Sequence, residues 1–260
     1  MRALLLLLAI LTTPARATEV DVELALMVDV SRSMGPGELE LQRRGYAEAI
    51  VSDEVVGAIL NSFTGRIAVT YVEWAGYGST RVIVPWTLVD SREAAEAVAE
   101  TLNANFPYGM RRTSITGAID FARADMAANE YEGLRQVIDI SGDGPNNEGG
   151  SVEAARDKAI AAGLVINGLP LMTQDGDEFW AIADLDLYYE ACVIGGPGAF
   201  VIPVREWHEF PLAVRRKLVL ELVGPPEALF AARSGRTADG YDCYIGEKMR
   251  EERERMFSDP

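Results

Sequence analysis

The stretch that decides the fold is Val22–Ser33, which reads VELALMVDVSRS. Its residues from Leu24 to Val28 are all apolar, and Asp29 follows them directly. A strand that is apolar at consecutive rather than alternate positions is typical of a parallel sheet covered by helices on both faces. We therefore predict a strand over Val22–Val28 that is buried on both sides and ends at a polar loop.

Strand-like and helix-like segments alternate along the rest of the chain. Further apolar runs of strand length are Ile67–Trp74, Arg81–Trp86, Gln136–Ile140, Leu164–Leu171 and Ala199–Val204. Helical spacing occurs over Glu38–Leu60, Ser91–Asn103, Ile115–Asn129, Ser151–Ala162, Phe179–Tyr189 and Pro211–Leu222. The short link between the second and third strands favours a hairpin with one antiparallel edge strand. This order predicts an α/β fold with a doubly wound, mostly parallel six-stranded sheet and helices on both faces.

Composition and charge exclude several classes of function. The 260 residues include 40 Asp and Glu against 24 Lys and Arg, so the formal net charge is -16. An acidic chain repels phosphates, and we expect no nucleic-acid partner. The single histidine, His208, excludes a multi-histidine metal site and makes the usual Ser–His catalytic pair hard to build.

The N-terminus has the pattern of a secretory signal peptide. A basic start precedes the apolar run Ala3–Leu11, which is followed by a proline and by Ala15-Arg16-Ala17. The alternative is a membrane anchor, but nine apolar residues are too few, because a spanning helix needs about 20. We expect cleavage after Ala17 and a periplasmic or secreted protein, with no transmembrane segment in the mature chain.

The sequence divides into three parts. We expect a signal peptide over residues 1–17, one domain over 18–224 and a C-terminal extension over 225–260. Within the extension, Gly246–Met256 interleaves Glu with Arg, which indicates a solvated charged helix or tail.

Polar side chains cluster where the predicted strands end. Asp29, Ser31 and Ser33 alternate after the first strand and can project toward one point. Thr113 precedes the predicted Ile115 helix, and Asp143 follows the fourth strand. Ligands of open α/β sheets bind beyond the carboxyl ends of the strands. Two carboxylates and three hydroxyls suit a hard cation such as Mg²⁺ better than a soft metal, which would favour Cys or His.

These residues resemble the metal-ion-dependent adhesion site (MIDAS) of von Willebrand factor A (VWA) domains. The matching pattern is Asp29-x-Ser31-x-Ser33, then Thr113, then Asp143-Gly144. The segments 138–147 and 193–200 resemble an exported bacterial subgroup of that family. The resemblance implies a VWA fold, a divalent cation on these five residues (Mg²⁺, with Mn²⁺ or Ca²⁺ as alternatives) and a partner protein that presents an Asp or Glu carboxylate to the metal. It implies binding and no reaction.

The chain departs from the family pattern in two places. Arg111 and Arg112 stand where the family often has small residues, so they are either surface charges or residues that steer an acidic ligand. Gly142 stands where the family usually has Thr, which removes a hydroxyl near the site. Separately, Asp139 lies within an apolar strand, and we expect it to be structural with a buried partner.

The competing enzyme class is a metal-dependent, phosphatase-like hydrolase with Asp29 as nucleophile on a similar sheet. Such an enzyme carries a second Asp two residues later as general acid, and Ser31 occupies that position. The chain also has no Gly-x-Ser-x-Gly nucleophile elbow. We therefore predict a protein that is not an enzyme.

The only two cysteines are Cys192 and Cys243. In an oxidising compartment an isolated pair more often bonds than stays free. The alternative is two unpaired thiols, with Cys192 in the core. We predict a disulfide that ties the C-terminal extension to the domain.

Overall fold

The structure, a computed structural model, describes residues 17–104, 109–173, 181–224 and 240–258. The predicted signal peptide, apart from its last residue, lies outside the described residues. So does the start of the predicted helix Phe179–Tyr189.

Five strands form one sheet in the described part of the chain. They are β1 (Thr18–Asp29), β2 (Ile67–Trp74), β3 (Thr80–Val89), β4 (Tyr131–Gly142) and β5 (Val165–Pro170). Their order is β3-β2-β1-β4-β5, and every neighbouring pair is parallel except β2 and β3. The predicted hairpin with an antiparallel edge strand is therefore confirmed.

The helices surround this sheet. They are α1 (Pro36–Ile50), α2 (Asp53–Leu60), α3 (Arg92–Asn103), α4 (Ile115–Met126), α5 (Val152–Ala161), α6 (Leu185–Tyr188), α7 (Phe210–Val223) and α8 (Ile245–Ser258). A π-helical turn, Tyr189–Val193, continues α6, and a 3₁₀ turn, Trp207–Glu209, precedes α7. The prediction of one helix over Glu38–Leu60 is wrong. Ser52 starts a second helix there, because its side chain accepts a hydrogen bond from the Val55 N–H.

The predicted sixth strand does not form. Val201 and Val204 make only isolated bridges to Gly168 and Leu171, at the free edge of β5. Pro170 and Pro203 lie within the two segments, and neither has an N–H to donate to a ladder. The segment Ala199–Val204 therefore lies beside the sheet without extending it as a strand.

Alternate residues of β1 belong to two different apolar cores. Leu24, Leu26 and Val28 pack with α1, α2, α3 and α7 on one face of the sheet. Ala25 and Met27 pack with α4, α5 and α6 on the other face. This confirms the doubly wound arrangement and explains why consecutive residues of β1 are all apolar.

A buried charge cluster lies between the sheet and α7. Asp139 on β4 is almost fully buried, and its Oδ1 lies 2.5 Å from Lys217 Nζ. Lys217 also pairs with Glu221, whose Oε1 accepts a hydrogen bond of 3.1 Å from Asn167. Burial raises the pKa of Asp139 to about 7, while Lys217 lowers it and Glu221 raises it. The expectation of a buried partner for Asp139 is thus confirmed, and that partner is Lys217.

We predict that Lys217→Met destabilises the protein by about 3–5 kcal/mol, because it leaves two buried carboxyl groups without their cation. Urea unfolding measures the change. Lys248→Met is the matched control, since Lys248 is mostly exposed on α8 and should change stability by less than about 0.5 kcal/mol. Equal losses in the two variants would contradict the prediction.

We predict that the free energy of unfolding of Asp139→Asn, measured relative to that of the wild type, increases as the pH rises from about 5 to about 8. The folded-state pKa of Asp139 is about 7, against 3.8 for an ordinary carboxyl, so in this range folded wild type holds a proton that the unfolded chain has released. Wild-type stability from this group is therefore lost as the pH rises toward and through the folded pKa. The Asn side chain does not titrate. Urea unfolding at several pH values gives both curves, and parallel curves would contradict the prediction.

Candidate metal centre

The five predicted ligand residues lie on three loops at one end of the sheet. Asp29 is the last residue of β1, and Asp143 directly follows β4, which pairs with β1. Ser31 and Ser33 lie between β1 and α1, and Thr113 precedes Ser114, the N-cap of α4. Parallel pairing of neighbouring strands therefore brings together loops that are far apart in the sequence.

A chain of hydrogen bonds connects the two carboxylates. The Ser31 N–H donates to Asp29 Oδ1 at 2.7 Å. The hydroxyls of Ser31 and Ser33 lie 2.9 Å apart, and the Ser33 hydroxyl donates to Asp143 Oδ1 at 2.9 Å. Four of the five predicted residues thus form one connected polar cluster.

Thr113 reaches the same cleft through a backbone clamp that the sequence analysis missed. Its N–H donates to Asn147 Oδ1 at 3.1 Å, and its carbonyl accepts from the Asn147 N–H at 2.9 Å. Asn147 is itself buried. The asparagines after Asp143 were part of the family resemblance, but only the fold indicates that one of them positions Thr113.

The electrostatics of the cluster fit a cation. Asp29 is fully buried, and within the described residues its Oδ2 has no hydrogen-bond partner. Burial raises the pKa of Asp29 well above its usual value, and the nearby Asp143 carboxylate raises it further. Burial likewise raises the pKa of Asp143 to about 6, although the Ser33 hydroxyl lowers it. A divalent cation would offset the repulsion and give Oδ2 a partner.

The donor set indicates which metals could fit. No group of three His, Cys, Asp or Glu side chains suited to a metal occurs in the described parts of the chain. The available donors at this site are two carboxylates together with hydroxyl oxygens. Such a set suits hard cations that keep some of their water.

Close packing explains why residue 142 is a glycine. A Cβ at this position would lie 2.9 Å from Asp29 Oδ2 and 2.9 Å from the hydroxyl of Tyr189. Tyr189 is fully buried on the π-helical turn, and its hydroxyl lacks a hydrogen-bond partner among the residues described. Tyr189 thus limits the space beside Gly142, where the family usually has Thr. No local sequence pattern connects these two residues.

Arg111 and Arg112 lie at the mouth of the site. Arg112 has a φ of 71°, a left-handed conformation that is uncommon for residues other than glycine. Its Nη1 lies 2.7 Å from Glu148 Oε2, and Glu148 Oε1 accepts a hydrogen bond from the Tyr77 N–H. Glu148 therefore holds the Arg112 loop in place. Arg111 is exposed and also lines the cleft.

A cleft of about 700 Å³ opens above the cluster. One wall consists of the loops that carry Ser31, Ser33, Thr113 and Asp143, and the facing wall is α8. The charged C-terminal segment is a helix with an exposed outer side, as expected, but it is not solvated on all sides. Its inner face covers the candidate metal centre.

A disulfide and local contacts hold α8 at the cleft. Cys192 and Cys243 are bonded, with 5.6 Å between their Cα atoms, which confirms the predicted pairing. Asn146 Nδ2 donates to Glu247 Oε1 at 2.6 Å. Gly246 packs so closely that a Cβ there would lie 2.1 Å from the Asn146 carbonyl oxygen.

Comparisons with known proteins agree with this fold. The family model described as "Protein of unknown function (DUF1194)" matches residues 19–226. No curated protein sequence is detectably similar to the chain. Several solved structures share its fold, however, and the likeness is to VWA domains.

Three solved structures illustrate the likeness. The pilus adhesin SpaC of Lactobacillus rhamnosus GG is 12% identical with a TM-score of 0.58, over 80% of this chain and 31% of the adhesin. Proximal thread matrix protein 1 of the mussel byssus, with a zinc-occupied MIDAS motif, is 15% identical with a TM-score of 0.55, over 80% of this chain and 49% of that protein. BatB of Bacteroides thetaiotaomicron is 17% identical with a TM-score of 0.51, over 77% of this chain and 98% of BatB. The chain thus spans about half of the mussel protein and about a third of the adhesin, and identities this low indicate a shared fold alone.

We predict that Gly142→Ala destabilises the protein by about 1–3 kcal/mol, because the new methyl group overpacks the space beside Asp29 and Tyr189. Adding Tyr189→Phe should restore part of that loss, since it removes the clashing hydroxyl. Thermal and urea unfolding measure both effects. Gly57→Ala is the control: nothing lies within 4 Å of a Cβ at that position in α2, so it should be neutral or stabilising. No difference between Gly142→Ala and wild type would contradict the prediction.

Proposed function

The chain belongs to the family described as protein of unknown function DUF1194 and has the VWA fold, and on this premise we propose that it is a non-enzymatic, metal-dependent binding domain. A divalent cation bound at the candidate centre would hold a carboxylate of a partner protein. The proposed metal-binding residues are Asp29, Ser31, Ser33, Thr113 and Asp143.

The observation that carries this proposal is the buried Asp29 Oδ2, which lacks a partner in the described residues and lies near a second carboxylate. Two carboxylates balance the charge of a dication, whereas hydroxyl ligands add no charge. A cation held in this way stays electrophilic, and a coordination position is left for water or an outside carboxylate. The residues present thus support binding of an anionic ligand.

Mg²⁺ is the cation that we propose first, with Mn²⁺ and Ca²⁺ as alternatives, because all the donors are hard oxygen atoms. The mussel protein, whose MIDAS motif holds zinc, supports divalent metal binding on this fold. The pilus adhesin supports a function in adhesion.

Export to the periplasm or the medium is part of the proposal. The signal-peptide pattern of residues 1–17 and the Cys192–Cys243 disulfide support it, because disulfides persist in oxidising compartments. The proposed division is a cleaved peptide over 1–17, the VWA domain over 18–224 and an extension over 225–260. Among the described residues, no helix is both long and apolar enough to cross a membrane.

The alternative is a phosphatase-like hydrolase with Asp29 as nucleophile. Two observations favour binding instead: Asp29 is fully buried with Oδ1 held by the Ser31 N–H, and Ser31 cannot act as the general acid. Release of phosphate from an aryl phosphate ester that needs Mg²⁺ and vanishes in Asp29→Asn would favour the hydrolase.

We predict that the purified protein binds one Mg²⁺ or Mn²⁺ ion, and that Asp29→Asn and Asp143→Asn each weaken binding by at least about tenfold, because each removes a charged ligand while keeping its shape. Isothermal titration calorimetry measures the affinity.

Asp53→Asn is the matched control for that titration. Asp53 is an exposed carboxylate on α2 that pairs with Arg92, away from the cleft, and its loss should leave metal affinity unchanged. Metal binding that is equally strong in all three variants, or absent from the wild type, would show the proposed centre to be wrong.

A further inference from the structure

Helix α8 supplies one wall of the cleft, although it lies beyond the residues that the family model matches. The lining residues Gly246, Met249, Arg250 and Arg253 follow the spacing i, i+3, i+4, i+7, so they share one face of the helix. Lys248 and Arg255 lie on the exposed side. The two faces of α8 therefore differ in what they contact.

This wall is held rigidly against the metal-binding loops. Gly246 packs on the Asn146 carbonyl, Glu247 accepts a hydrogen bond from Asn146, and the disulfide lies just before the helix. Arg250 Nη1 lies 3.8 Å from Glu148 Oε2, the same carboxylate that pairs with Arg112. Glu148 thus contacts both walls and keeps α8 beside the loop that precedes Thr113.

The cleft is positively charged in a strongly negative protein. Five arginines line it, whereas the acids at its walls are Asp143, Glu254 and Glu148, which pairs with Arg112 and Arg250; the chain as a whole has a formal net charge of -16. Within the described residues, Arg32 and Arg111 have exposed side chains and no ion-pair partner. A bound dication would balance Asp29 and Asp143 and leave the arginines in excess over Glu148 and Glu254. Such a concentration of charge selects an anion.

The rim of the cleft is open and partly apolar. Phe257, near the end of α8, lines the cleft and is 83% exposed. Small-ligand pockets bury most of their ligand, whereas here exposed side chains line both walls. A chain segment that enters and leaves along the cleft fits this shape better than an enclosed small molecule.

From these observations we infer that the cleft between α8 and the metal-binding loops binds an extended acidic segment of a partner protein with at least two carboxylates. One carboxylate occupies the cation, a contact that rests on the proposed function. Another lies between Arg250 and Arg253 of α8 and the exposed Arg32 and Arg111. Guanidinium groups suit this contact because they bind carboxylates with two parallel hydrogen bonds.

The test is fluorescence anisotropy of a labelled peptide of alternating Asp and Glu, with Mg²⁺ and the full exported chain. We expect binding that is lost with chelator and absent for the same peptide with Asn and Gln. The double variant Arg250→Gln, Arg253→Gln should weaken binding at least about tenfold, since hydrogen bonds to charged groups are among the strong ones. Unchanged peptide affinity in this variant would overturn the inference.

The matched control is Lys248→Gln, Arg255→Gln, which removes the same charge from the outer face of α8. Its affinity should stay within about twofold of wild type, because exposed charges pointing into solvent are screened. Equal losses in the two double variants would indicate general electrostatics and overturn the specific contact. Succinate that displaces the peptide at comparable concentrations would overturn the choice of a peptide ligand.

Metal titration separates this inference from the proposed function. Arg250→Gln, Arg253→Gln should bind Mn²⁺ like wild type, because neither arginine is a proposed ligand and the disulfide, Gly246 and the Asn146–Glu247 hydrogen bond still hold α8. If the wild type binds metal but not the peptide, the inference is overturned and the proposed metal centre remains supported. Peptide binding that depends on the arginines but persists with chelator would support the cationic wall and contradict the proposed function.

Discussion

Strand β1 lies at the centre of the sheet and ends in a carboxylate that is fully removed from water. Burying Asp29 is costly unless its oxygens are satisfied. The Ser31 N–H satisfies Oδ1, and Gln42 of α1 donates to the Asp29 backbone carbonyl at 3.1 Å. The remaining oxygen, Oδ2, has no hydrogen-bond partner among the described residues. A cation bound between the surrounding loops would give it one.

Strand β4, which pairs with β1, carries a second buried acid. Asp139 on β4 has an internal cation, Lys217, supplied by α7. Asp29 has none among the described residues, although it is buried to the same degree. The chain therefore supplies a cation to one buried carboxylate and none to the other, although Asp139 Oδ2 also lacks a hydrogen-bond partner among the described residues. This difference separates a structural acid from a candidate binding residue better than burial alone does.

The C-terminal extension changes the shape of the surface at the strand ends. Without it, the strand-end loops would have no facing wall. With α8 fixed by the disulfide and by the close approach of Gly246, the same face becomes a cleft with a second, arginine-bearing wall. We propose that the core fold supplies metal-dependent attraction and that the extension supplies selectivity.

Local patterns in the sequence determined the two-sided burial of β1, the convergence of Asp29 with its serines and the class of fold. They also contained a signal that we overlooked, since Ser52 before two acidic residues is a common helix start. Tertiary structure alone decided that Lys217 pairs with Asp139, that Tyr189 excludes a side chain at 142, and that the charged C-terminal helix covers the site. Periodicity and capping depend on residues a few positions apart, so the sequence carries them directly. Contacts between distant segments depend on how whole elements pack, and a single sequence does not specify which distant side chains will meet.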